Sequence, residues 1–197
     1  TLDGQKKLVA ALKVAMAQLE EAPEAPTRLF RCGNLYMRLG KFQEAMAYFK
    51  QVLKFDYEFE DAYLAMAYIY SEFNLEDKAK EFWVIAEWMS ERKIGKLKAE
   101  DYYVLAKKME AMSLIKGAIS VWEEGATMRP WHIDTWRELS RFYLQMKDYD
   151  NAKRTLKNLV KQSKYDAMAY RNLAVCYQNT REYRKALVTW EKALRLE

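Results

Sequence analysis

Three prolines and six glycines in 197 residues are too few to supply the frequent turns of an all-β sandwich or barrel. A single histidine, His132, stands beside Pro130 and Trp131 with no cysteine or second histidine at ligand or triad spacing. It is read as surface structure, and no catalytic centre, metal site or cofactor is expected. Glycine-rich phosphate loops are missing as well. The two cysteines, Cys32 and Cys176, are far apart and fall on apolar helical faces, which predicts buried free thiols. No run of about 18 apolar residues occurs and no basic-then-apolar leader precedes the first helix pattern, so neither a membrane span nor a signal peptide is expected. What is present is a 51% apolar composition rich in Ala, Leu, Lys, Glu and Met, the residues that favour helix. The chain is read as all-α.

The segments "GKFQEAMAYFKQVL", "KDYDNAKRTLKNLV" and "REYRKALVTWEKAL", beginning at 40, 147 and 181, share one pattern. Extending their register gives five units that start at Pro26, Glu60, Ala99, Ile133 and Ala167, with spacings of 34, 39, 34 and 34 residues. The fourth position is large (Leu29, Tyr63, Tyr102, Trp136, Tyr170). The eighth is small (Gly33, Ala67, Ala106, Ser140, Ala174), and the eleventh is large again (Tyr36, Tyr70, Met109, Tyr143, Tyr177). The twentieth is alanine every time: Ala45, Ala79, Ala118, Ala152, Ala186. Small residues at positions 8 and 20 let two antiparallel helices approach closely. The bulky twenty-fourth column (Phe49, Trp83, Trp122, Leu156, Trp190) is expected to fill the core beside that contact. The fifteenth column (Gly40, Asn74, Ser113, Lys147, Arg181) lies between the two helices of a unit, where a left-handed residue can end the first.

This pattern resembles the tetratricopeptide repeat family, and the resemblance implies a right-handed superhelical solenoid of helix-turn-helix repeats. The expected division is a half repeat over 1–25 and repeats over 26–59, 60–98, 99–132, 133–166 and 167–197, forming one continuous domain. The second repeat carries an insertion, "RKIGKLK" at 92–98, read as a longer solvated basic turn open to proteolysis. The family often has proline at position 32, which only Pro130 supplies here. After the second helix of the last unit, the face with Leu187, Trp190 and Leu194 has no following helix. It is expected to be covered by further chain or by a partner, weak self-association included.

Charge is uneven. Residues 1–98 are net neutral, whereas 133–197 carry 14 basic and 8 acidic residues. The family's concave groove is lined by positions 2, 5, 6, 9, 12 and 13 of each first helix. The resemblance therefore implies a partner-binding groove with Phe30, Asn34, Leu64, Tyr68, Tyr103 and Lys107 in front and Arg137, Arg141, Arg171 and Asn172 behind. Only Arg137 and Asn172 match the family's carboxylate clamp for chaperone tails. Arginine favours bidentate contact with carboxylates, so the expected partner is a protein or an extended or helical peptide, acidic in character; the alternative is that these arginines pair with Asp134, Glu138 and other local carboxylates. The implied function is a non-catalytic adaptor within a larger assembly. Two alternatives stand beside it. "VWEEGATMRPWHIDTWRELSRF" resembles the half-a-TPR repeats of RNA-processing complexes, but Phe30, Leu64 and Tyr103 occupy position 5, where RNA-reading repeats use small polar residues. The chain is also compatible with the regulatory part of a longer enzyme.

Overall fold

The computed structural model describes residues 2–197, so residue 1 of the expected leading segment lies outside the described residues. Among the described residues there are eleven helices and no strand: α1 (Leu2–Glu21), α2 (Pro26–Arg38), α3 (Phe42–Phe55), α4 (Glu60–Glu72), α5 (Glu76–Lys93), α6 (Asp101–Ala111), α7 (Ile115–Met128), α8 (Ile133–Gln145), α9 (Tyr149–Gln162), α10 (Ala167–Asn179) and α11 (Tyr183–Leu194). The chain divides into two compact units. The first holds residues through Leu97 together with 108–117; the second holds 98–107 together with 118–197. No helix is long and apolar enough to cross a membrane among the described residues.

Local sequence explains where the helices start and stop. Pro26 opens α2, where a missing N–H costs nothing. Asp148 and Asp166 cap α9 and α10 by accepting from the backbone N–H groups of Asn151 and Ala169 at 3.1 and 2.9 Å. The fifteenth column has one conformation throughout: Gly40, Asn74, Ser113, Lys147 and Arg181 all have φ between 57° and 73°. In each case the next residue's N–H donates to the carbonyl of the eleventh-column residue. Lys41 reaches Tyr36, Leu75 reaches Tyr70, Leu114 reaches Met109, Asp148 reaches Tyr143 and Glu182 reaches Tyr177, at 2.8 to 2.9 Å. That bond turns the chain sharply at the end of a helix and satisfies an otherwise orphaned carbonyl.

In the first unit each of α1 to α5 packs on the next. Leu12 and Ala15 of α1 bury Cys32 and Leu35 of α2, and Gly33 admits the ring of Phe49. Tyr63, Met66, Ile69, Ala79 and Ile85 continue this core. The second unit buries Ala118, Trp122, Leu139, Ala152, Leu156, Ala174 and Ala186 in the same columns, with α8 to α11 stacked in order. Both cysteines are free and buried.

Two expectations are corrected. Trp83, placed in the core by its column, is 43% exposed, and its neighbour Phe82 is buried instead, 5.2 Å from the ring of Tyr70. The buried stripe of α5 runs through Ala79, Phe82, Ile85, Ala86 and Met89, which leaves position 83 on the outer side. Within 92–98 the exposed basic turn begins only at Ile94, with Lys96 and Lys98 exposed as expected. Helix α5 extends to Lys93, Arg92 bonds Glu58 at 2.8 Å across the repeat, and Leu97 is buried, so Gly95 (φ 69°) is the actual stop. Glu123 of α7 accepts hydrogen bonds from Tyr143 at 2.7 Å and Arg154 at 2.5 Å.

Candidate functional site

The groove residues of the first unit differ in what they present. Phe30 on α2 is half-buried, with its ring 5.4 Å from Phe49 and 4.9 Å from Phe59, so it fills space between helices. Asn34 is half-buried one turn later. Leu64 and Tyr68 on α4, four residues apart and hence on one face, are 40% and 48% exposed. A hydrogen bond to Glu72 holds the Tyr68 phenol above its usual pKa.

The second unit gathers its residues around a cavity of about 480 Å³. Its floor is apolar, with Leu156 and Leu159 of α9 seen between α8 and α10, and Leu144 beside them. Tyr103 forms one wall, its ring 5.1 Å from His132, whose Nδ1 lies 2.8 Å from the Thr135 hydroxyl. Arg137 and Arg141 of α8 line the cavity together with Asp134, Glu138 and Asp166. Arg137 donates to Asp134 at 2.9 Å and to Asp166 at 3.4 Å. Arg141 grips one oxygen of Glu138 through Nε at 2.9 Å and Nη2 at 2.6 Å, while Lys107 reaches the other at 3.2 Å. Asn172 of α10 closes the lining. Arg171 pairs with Glu197 and is not on the wall, so only two of the three guanidinium groups meet.

The cations of this cavity and two of its anions were named from the sequence, where pairing of the arginines with Asp134 and Glu138 is the alternative to a ligand, and both pairs are formed. The signal is spacing, because Asp134 and Glu138 stand three residues before Arg137 and Arg141 at helical pairing distance. Asp166 was hidden, since it acts both as the cap of α10 and as a partner of Arg137.

The helix pairs have a relationship to known proteins that can be read repeat by repeat. A tetratricopeptide repeat family model matches residues 26–59, and a second matches 133–165. The chain is a tetratricopeptide repeat protein. No curated protein matches it by sequence. Among solved structures, MamA AMB-1 is 16% identical, with 87% of this chain and 91% of that chain covered at a TM-score of 0.51. YrrB, described as a TPR protein with an unusual peptide-binding site, is 18% identical over 95% of this chain and 94% of its own, at a TM-score of 0.48. The first of these likenesses is one of fold. Tetratricopeptide repeat proteins bind proteins or peptides, and this one is a protein-interaction scaffold of that kind.

Proposed function

We propose that the protein is a non-catalytic adaptor that holds a peptide segment of a partner inside a larger assembly, using the cavity of its second unit. Five repeats beginning at 26, 60, 99, 133 and 167, preceded by a half repeat, form the scaffold. The observation that carries this reading is an apolar floor of Leu144, Leu156 and Leu159 beneath a ring of exchangeable ion pairs. The side chains of Arg137 and Arg141 are 55% and 42% accessible, and exposed pairs of this kind contribute only about 0–1 kcal/mol. A ligand carboxylate can take either guanidinium from its local partner at small cost. Because Asp134, Glu138 and Asp166 stand in the same lining, the segment that fits places an apolar side chain on the floor and an acidic residue opposite one arginine. Leu64, Tyr68 and Asn34 form a further contact region in the first unit.

The test is affinity capture with the intact chain, identification of the bound protein, and titration of that protein against the parent, Arg137→Glu and Arg141→Glu. A loss of tenfold or more with steep salt dependence is expected. Affinity within twofold of the parent removes the cavity from the mechanism.

Self-association through α11 is a second reading, favoured by the exposure of Tyr183, Leu187, Val188 and Leu194, each above 60%. Trp190 in the same helix is half-buried. Sedimentation of the parent and Leu187→Glu is expected to show a concentration-dependent species only in the parent. A monomer at every concentration refutes it.

A further inference from the structure

The first unit contains a cavity of about 510 Å³ that shares only its rim residue Ala111 with the groove columns and none of the predicted groove residues. Its size falls within the range of roughly 300–1,000 Å³ typical of ligand sites. Leu53 of α3, Met66 and Tyr70 of α4, Phe82 of α5 and Leu114 of the α6–α7 turn make its apolar surface. Leu53, Met66, Phe82 and Leu114 are all buried, so the floor belongs to the core and is rigid. Lys50, Lys78 and Lys108 line the same cavity with a single carboxylate, Glu81.

That carboxylate is already engaged, because Lys108 holds Glu81 at 2.6 Å. Lys78 lies 5.6 Å over the ring of Tyr70, and among the described residues Lys50 and Lys78 form no ion pair. Two ammonium groups with no anion therefore stand beside an apolar surface. The second-unit cavity is the reverse, with three carboxylates to two guanidinium groups and each arginine paired.

We propose that this first-unit cavity is a separate binding site for an acidic segment of a partner protein, in which one large apolar side chain is flanked by carboxylates. The apolar side chain enters between Met66 and Phe82, and the carboxylates meet Lys50 and Lys78. Charge complementarity selects an acidic occupant over a basic one. The floor selects a peptide over a nucleic acid, because the one ring at the mouth, Tyr70, is taken up by Phe82 at 5.2 Å and by Lys78 and offers no open stacking platform. The site is independent of the adaptor reading above, and the two are separated by which variants lose binding.

The probes are synthetic twelve-residue fluorescent peptides: one with leucine amid glutamates and aspartates, one with alanine replacing that leucine, and one with leucine amid lysines. Oligouridylate and inorganic phosphate are added as competitors. Anisotropy with the intact chain is expected to show binding of the acidic leucine peptide, at least tenfold weaker for the alanine peptide and undetectable for the basic one. Lys50→Glu with Lys78→Glu is expected to reduce affinity at least tenfold, and Arg137→Glu to leave it within twofold. Both lysines are exposed, so the fold is retained. Ala111→Trp, at an exposed position on the rim, obstructs the site without reversing a charge and is expected to weaken binding similarly. Methyl resonances of Met66 and Met112, both in the lining, are expected to shift on titration while that of Met168 does not. The proposal is overturned by no binding of the acidic leucine peptide, by equal binding of the alanine or basic peptide, by insensitivity to the lysine reversal, or by displacement with oligouridylate or phosphate.

Discussion

The ring of Phe49 occupies the space that a β-carbon on residue 33 would need: an ideal Cβ built on Gly33 falls 2.6 Å from Phe49 Cε1. Phe49 is fully buried, so its ring cannot swing into solvent. Gly33→Ala gains up to about 1 kcal/mol of helix propensity and loses more through overpacking. The net expectation is destabilisation of about 1–3 kcal/mol, read from urea denaturation. A more stable variant would show that the α2–α3 crossing adapts.

Lys147 and Arg181 adopt left-handed backbone with φ of 57° and 61°, a conformation that costs a residue with a β-carbon about 1–2 kcal/mol. Glycine removes that cost but adds freedom to the unfolded chain. Lys147→Gly and Arg181→Gly are each expected to stabilise by about 0.5–1 kcal/mol. Thermal midpoints that fall would mean that these side chains contribute contacts of their own.

Glu182 joins the turn after α10 to α9. Lys153 bonds it at 2.5 Å, Lys185 at 2.6 Å and the Thr180 hydroxyl at 3.1 Å, and these donors, Lys153 foremost, hold its carboxyl down to about 2. The unfolded carboxyl titrates near 4.3. The folded pKa is depressed, so the stabilisation is present above about 4.3 and lost as pH falls toward about 2. Glu182→Gln is therefore expected to be less stable than the parent at pH 7, with the gap narrowing by pH 3. A constant gap across that interval would assign the effect to something other than charge.

Phe82 and Trp83 give opposite expectations from adjacent positions. Phe82→Ala empties a buried site and is expected to cost about 3 kcal/mol. Trp83→Ala, at a 43% exposed position, is expected to cost less than about 1 kcal/mol. Equal losses in chemical denaturation would return Trp83 to the core.

The fold was legible because its determinants are steric and recur. Alanine at position 20 marks a close helix crossing five times, and all five of those alanines are buried. The left-handed turn column is legible for the same reason, although Lys147 and Arg181 carry no glycine-like signature and are identified only by their place in the repeat. Trp83 was not legible, because a one-residue rotation of α5 exchanges it with Phe82, and both are large aromatics. Arg92 was misread as solvated since its partner Glu58 lies 34 residues away, beyond any local pattern. At the candidate site, cations stood out through net charge. Their neutralisation depends on side-chain geometry, as when Asp166 serves Arg137 from the start of another helix.

Burial of the two thiols has a practical consequence. Loss of hydration raises both, Cys32 against the opposing charge of Arg31, and Cys176 to about 11. Since the thiolate is the reacting species, maleimide dyes at neutral pH meet almost none at either native position in the folded chain. A cysteine introduced at the exposed rim residue Ala111 can therefore be labelled selectively with both native cysteines left in place, which puts an environment-sensitive fluorophore at the mouth of the first-unit cavity and lets its occupancy be followed directly.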